Sequence, residues 1–145
     1  MRRSIIPTVA AFILVMTAHS AAAVDPALRI IVNPQVQGTQ VPKSVLASIF
    51  LKEARFWGDG SPVVPVDQSV QSAVRRAFSS RVLDRPLLEV QVYWQRKMVA
   101  GLVPPPVKTS DEDVIAFVSS TPGAIGYVSV DVAVPPTVKT IEVRN

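Results

Sequence analysis

Three consecutive acidic residues, Asp111-Glu112-Asp113, and a lysine beside a serine, Lys43-Ser44, are the groups in this chain whose types and spacing could do acid, base or nucleophilic chemistry. Paired carboxylates can share general-acid and general-base work when their environments separate their pKa values. A lysine can activate a serine hydroxyl when the two side chains meet. The positions argue against both. The acidic run follows Thr109-Ser110 at the opening of a helix, where carboxylates face water and complement the positive end of the helix dipole. Residues adjacent in sequence at a helix start point in different directions. The chain has no cysteine and a single histidine, His19. That excludes disulfides, thiol catalysis and thiolate metal sites, and it removes the commonest general base and zinc ligand from everything beyond residue 19. The chain reads as a non-enzyme with no cofactor and no metal.

The first residues read as an export signal. Met1-Arg2-Arg3 is a basic start, Ile5 to Ala18 is mostly apolar, and Ala21-Ala22-Ala23 supplies an A-x-A cleavage site. The apolar part falls short of the roughly 18 to 20 residues a membrane span needs, and Pro7 interrupts it. Residues 1–23 are therefore expected to be removed, leaving 24–145 as one domain in the periplasm with no stable membrane span. The whole chain carries a formal charge of +4, but Arg2 and Arg3 belong to the leader. The small remaining excess of positive charge is no argument for nucleic acid.

Hydrophobic periodicity then lays out alternating strands and helices. Leu28 to Asn33 is rich in branched residues and ends at Asn33-Pro34, a strand. Pro42 suits the first turn of a helix whose stripe is Val45, Leu46, Ile49 and Phe50 and which runs to about Glu53. Asp59-Gly60-Ser61-Pro62 is a turn, and Val63 to Val66 a short strand that Pro65 places at an edge. A second helix begins near Ser69, with Val70, Val74, Ala77 and Phe78 inward and Arg75, Arg76 and Arg81 in solvent. A third runs from Pro86 to about Met98, with Leu87, Val90, Trp94 and Met98 facing the core, and Gly101 marks its exit. Pro104-Pro105-Pro106 is an extended connector. Thr109 and Glu112 have capping-box spacing for a fourth helix with Ile115, Phe117 and Val118 buried. Ala124 to Val130 and Val138 to Val143 are strands. The order predicts an α/β fold, a layered domain with a mixed sheet flanked by helices.

Four separated segments resemble, in order and rough spacing, the phosphate-type periplasmic solute-binding protein superfamily. They are the strand ending Val32-Asn33, the helix ending Ile49-Phe50-Leu51, Phe56-Trp57-Gly58-Asp59-Gly60, and Thr121-Pro122-Gly123-Ala124-Ile125-Gly126-Tyr127. The similarity spans about residues 28 to 130. At Lys52 this chain departs from the glycine common in the family. The residues of the last segment also have a direct physical reading. Pro122-Gly123 makes a turn, Gly126 allows close approach within a strand, and Tyr127 buries its ring while keeping its hydroxyl wet. Phe56 and Trp57 plug the space beneath the Gly58 turn.

The resemblance implies one lobe of a type II periplasmic binding protein, and with it binding of phosphate or another small anion and a transporter or envelope protein as partner. Such proteins close two lobes over their ligand, whereas this chain has the length of one. The resemblance also places the anion site at Pro65 to Phe78, where Ser69, Gln71 and Ser72, with the free amides of a helix start, could form an anion seat. Asp67 stands about where a positive residue would be wanted and would repel phosphate. The alternative is that Asp67 or Ser69 simply caps the helix, in which case the chain is a periplasmic interaction or adaptor module that keeps the lobe as a scaffold. The leader reading has its own check: intact-mass measurement of the exported protein should place its first residue at Val24, and a chain that keeps residues 1–23 after export would overturn it.

Overall fold

The structure, a computed structural model, describes residues 27–145. The expected leader, residues 1–23, lies outside the described residues. A five-stranded mixed sheet forms the frame, in the order β2-β7-β1-β6-β3. At its centre β1 (Leu28–Val32) runs antiparallel to both β6 (Ala124–Ser129) and β7 (Lys139–Arg144). The edges are β2 (Gln40–Pro42), parallel to β7, and β3 (Val64–Pro65), parallel to β6. A separate two-stranded pair joins β4 (Asp67–Gln68) to β5 (Val107–Lys108). Among the described residues no helix is long and apolar enough to cross a membrane.

The period of two in the central strands decides which helix lies on which face. Ile30, Val32, Ile125 and Tyr127 turn to one side, where they pack with α1 (Lys43–Phe50), α2 (Ala73–Arg81) and α3 (Leu87–Val99) through Leu46, Ile49, Phe50, Phe78, Val90 and Trp94. Ile31, Ala124 and Val128 turn to the other, against Val114 and Val118 of α4 (Asp111–Ser120). The strand register sets Ile30 opposite Tyr127 and Ile31 opposite Gly126, so both layers are continuous across the sheet. This is the expected α/β layering, a mixed sheet flanked by helices.

Several expected boundaries move, each for a local reason. The first helix stops at Phe50 rather than near Glu53, because Lys52 takes a left-handed φ of 55°. That is the position where glycine would carry no steric penalty. Pro42 and Pro86 sit at N-caps, one residue before the first turn, with the extended backbone proline prefers. Val45 and Met98 are exposed because the sheet meets only part of each helix's apolar arc. The fourth helix is capped one residue later than expected: Ser110, not Thr109, accepts from the amide of Asp113 at 3.1 Å. Val114 and Val118 are fully covered there, while Ile115 and Phe117 are only half-buried. Three short strands, β2, β4 and β5, carry no periodicity a sequence could reveal. Asn33, which closes β1, is buried and donates its side-chain amide to the carbonyls of Val118 at 3.0 Å and Ser119 at 3.2 Å, pinning the end of α4.

The turn and strand that carry the resemblance do the packing work expected of their glycines. Gly123 has a φ of 76°, and a Cβ there would lie 2.2 Å from the Pro62 carbonyl oxygen. A Cβ on Gly126 would meet Val114 Cγ1 at 2.7 Å and Val66 Cγ1 at 2.9 Å. Trp57 packs on the core and donates its indole N–H to the Gly123 carbonyl at 3.0 Å. Phe56 does not share the plug; it is 65 % exposed, its backbone bridged to Pro62. Gly126→Ala is expected to destabilise the protein by about 1–3 kcal/mol through overpacking. Gly58→Ala, with nothing near its added methyl, should stay within about 0.5 kcal/mol. Urea unfolding of the two variants checks the contrast, and equal midpoints would refute the close packing at Gly126.

Candidate functional site

The approach to α2 is built by a change of strand partner. Val66 still belongs to the main sheet, its amide donating to the Ile125 carbonyl at 2.9 Å. One residue later the chain pairs with β5: the Asp67 amide donates to Pro106 O at 2.8 Å and the Ser69 amide to Lys108 O at 2.9 Å. The last residue of the proline connector thus supplies a carbonyl, the one backbone hydrogen-bonding group proline keeps. The switch drops Asp67 and Gln68 into the interior between the sheet, α2 and the start of α4.

Asp67 is held by three donors that converge on one carboxylate oxygen, Oδ1. The Gln68 amide reaches it at 2.8 Å, the Arg75 Nε at 2.9 Å, and the Tyr127 hydroxyl makes a short hydrogen bond to it. Burial pushes the carboxyl above its ordinary range, opposed by the Arg75 charge and by the hydrogen bonds from Tyr127 and Gln68. Burial also pushes the Tyr127 phenol far above the usual tyrosine range, reinforced by the Asp67 charge, so the hydroxyl keeps its proton and donates it. The ring is fixed by Phe78, stacked at 4.0 Å between centroids and 6° between planes, and by Phe50 at 5.6 Å.

Gln68 ties this cluster to both helix starts. Its amide nitrogen donates to Asp111 Oδ1 and to the Tyr127 carbonyl, each at 2.8 Å, and its Oε1 accepts from Ser72 Oγ at 2.9 Å. Asp111 also accepts from the Ser129 amide at 3.1 Å, which joins α4 to the end of β6.

The sequence-derived candidates fall on this turn in different ways. Ser72 is the N-cap of α2, its Oγ accepting from the Arg75 amide at 3.3 Å. Neither Asp67 nor Ser69 takes that place, because both precede the helix by several residues. The helix starts at Ala73, not near Ser69, which leaves Val70 exposed and outside it. Ser69 turns its hydroxyl toward the Gln71 amide at 3.3 Å and its carbonyl toward the Ser72 amide at 2.9 Å. Gln71 is exposed, and its carbonyl accepts from Arg76 Nη1 at 3.0 Å. Ser69, Gln71 and Ser72 are thus one hydrogen-bonded turn at the head of α2.

Three expectations fail here for one reason. Arg75 is not solvated but 3 % exposed; Tyr127 keeps no wet hydroxyl; and Asp111 is not merely a dipole-facing surface acid. Each has found a partner inside the fold: Arg75 pairs with Asp67, Tyr127 with Asp67 sixty residues away, and Asp111 with the Ser129 amide. The buried role of Gln68 was missed altogether, and the only sequence hint is a polar pair, Asp67-Gln68, directly after an apolar strand. Ser69 also borders a groove of about 410 Å³ between α2, α3 and the proline connector. A wider depression of about 850 Å³ lies beside α4, but Asp111, Glu112 and Asp131 line it and disfavour an anion there.

No family model and no curated protein matches the chain. Solved structures do. A protein from Clostridium perfringens, solved with phosphate bound, superposes with a TM-score of 0.65 at 16% identity over 81% of this chain and 45% of its own. An ABC-type phosphate transport receptor from Vibrio cholerae gives 0.61 at 20% identity, covering 81% and 46%. PstS from Borrelia burgdorferi gives 0.64 at 18% identity, covering 83% and 48%. The chain spans less than half the length of these structures and has the fold of one of their lobes. Breaking the buried pair on one side should be costly whatever the ligand. Asp67→Asn and Arg75→Met are each expected to destabilise by about 3–5 kcal/mol. The double variant should recover at least about 2 kcal/mol of the summed loss, because the Asn oxygen still serves Tyr127 and Gln68 and no charge is left alone. Denaturant unfolding of the four proteins checks this, and additive losses would refute the coupling.

Proposed function

Starting from a lobe fold shared with phosphate transport receptors, we propose that this protein is an exported solute-binding lobe whose ligand is phosphate or another small anion. Export of residues 24–145 as one periplasmic domain, after loss of residues 1–23, belongs to the same reading. The observation that carries it is the turn Ser69-Val70-Gln71-Ser72 at the start of a nine-residue helix. It sets the Ser69 hydroxyl and the Gln71 side-chain amide beside the positive end of a helix dipole, while the Ser72 hydroxyl is held by Gln68 Oε1. A small anion accepts hydrogen bonds from such donors without needing a full positive charge.

One lobe gives one wall. A second lobe, from a second copy of this chain or from a separate envelope protein, supplies the other, and a membrane transporter of the ABC type is the partner to which such a complex would deliver. No enzymatic role is part of this reading.

One observation favours the adaptor alternative. Of the two arginines in the first turns of α2, the buried one is already neutralised: Arg75 Nε lies 2.9 Å from Asp67 Oδ1. An anion at the turn therefore meets dipoles, the Ser69 hydroxyl and one guanidinium, that of Arg76, which is exposed and screened by water, and binding by the isolated lobe should be weak, with a Kd of about 1 mM or above. The purified exported protein, titrated with inorganic phosphate to saturation and followed by amide NMR, separates the two readings. Anion binding predicts shifts confined to the amides of residues 69–73 and abolished in Ser69→Ala. No shift at any phosphate concentration would leave the adaptor module as the function.

A further inference from the structure

The groove beside the anion turn has a chemistry of its own. Its volume, about 410 Å³, is within the range of small-molecule pockets, roughly 300–1,000 Å³. Val90, Trp94 and Met98 recur at four-residue spacing on α3 to make one wall, and Pro104 and Pro105 contribute to the opposite one. Val70, Met98 and Val107 are exposed apolar side chains on its rim.

Among the described residues, Asp67 and Arg75 are the only charged ones lining this groove. They neutralise each other through the 2.9 Å contact at Oδ1. An ionised ligand entering here would leave its own charge without a counter-charge, which buried sites penalise heavily. The guanidinium is nevertheless not satisfied. Its Nη1 is buried and has no hydrogen-bond partner among the described residues, although more than about nine in ten buried polar groups have one. The groove is therefore lined mostly by apolar groups, with Arg75 along it, its charge already cancelled and one buried N–H still unpaired. What complements it is a neutral acceptor on an apolar body.

We propose that this groove is a second ligand site, adjoining the Ser69–Ser72 turn at Ser69 and Val70, that takes a small uncharged molecule pairing an apolar side group with an amide carbonyl. The carbonyl accepts from Arg75 Nη1, and the apolar group lies between Trp94 and the two prolines. The Gln91 and Gln95 amides, one residue on from Val90 and Trp94, line the same groove and supply polar partners for the rest of the amide.

The test uses the exported protein and three probes: N-acetyl-L-leucinamide, 4-methylpentanoate as an anion of similar apolar body, and inorganic phosphate. NMR reads the Trp94 indole N–H and the Arg75 Nε–H. The neutral amide is expected to shift both and to bind at least tenfold more tightly than the carboxylate, with phosphate leaving both unmoved. Met98→Arg, at an exposed rim position, should weaken the amide at least tenfold with an unchanged melting temperature. Arg75→Lys, which keeps the charge but lacks Nη1, should erase the preference for the carbonyl. Equal or tighter binding of the carboxylate or of phosphate at Trp94, no shift with the amide, or full affinity in Met98→Arg would each overturn the proposal. Because phosphate at the turn is read separately on residues 69–73, failure of the anion reading leaves this result standing.

Discussion

A buried phenol hydroxyl that must find an acceptor organises this molecule. Tyr127 lies in the central strand pair, fully covered, with its ring stacked on Phe78 and flanked by Phe50. Its hydroxyl cannot reach water, and leaving it unpaired would cost on the order of 1–3 kcal/mol. Asp67 is the acceptor, and an aspartate in that position needs a cation in turn, which Arg75 supplies from the first turn of α2. One requirement thus fixes the strand, the switch of partner from β6 to β5, and the helix that follows. Gln68 extends the same chain of obligations to Ser72 and Asp111, so the starts of α2 and α4 are set by a single polar network inside an apolar shell.

That network also shapes what the surface can offer. The charges of Asp67 and Arg75 cancel in the interior, and the head of α2 presents to a solute a serine hydroxyl, helix dipoles and the exposed Arg76 guanidinium. The lobe is common to proteins of phosphate transport, yet at this turn the buried arginine is already paired with an aspartate. Shared fold and shared ligand are separate matters here, because the fold rests on Gly123, Gly126 and the strand register, whereas the ligand rests on the few side chains after Val66.

The elements governed by periodicity were legible in the sequence. β1 and β6 alternate between two packed faces, and the apolar stripes of α1 to α4 recur at helical spacing, so layering and class follow from pattern alone. The turn at Pro122-Gly123 and the close approach at Gly126 were legible too, because few other residues fit there. The site was much less so. Whether Arg75 faces water or pairs with Asp67 depends on where the chain changes strand partner, and no local pattern announces two-residue strands such as β4 and β5. Tyr127 and Asp67 lie sixty residues apart, and sequence spacing says nothing about a meeting at that distance. The cap of α2 was expected at Asp67 or Ser69 and is Ser72, because Ser69 and Ser72 carry the same chemistry and the helix boundary alone chooses between them.

The two ends of the main sheet have a consequence for assembly. β2 closes on Pro42 and β3 on Pro65, and the two strands are only three and two residues long. A proline cannot donate to an incoming backbone, and so short an edge offers little ladder to extend. Growth of the sheet from one molecule into the next is blocked at both margins. Any second body that completes this lobe must dock through side chains of its helices and loops, an arrangement that can separate and rejoin without unpicking a single strand.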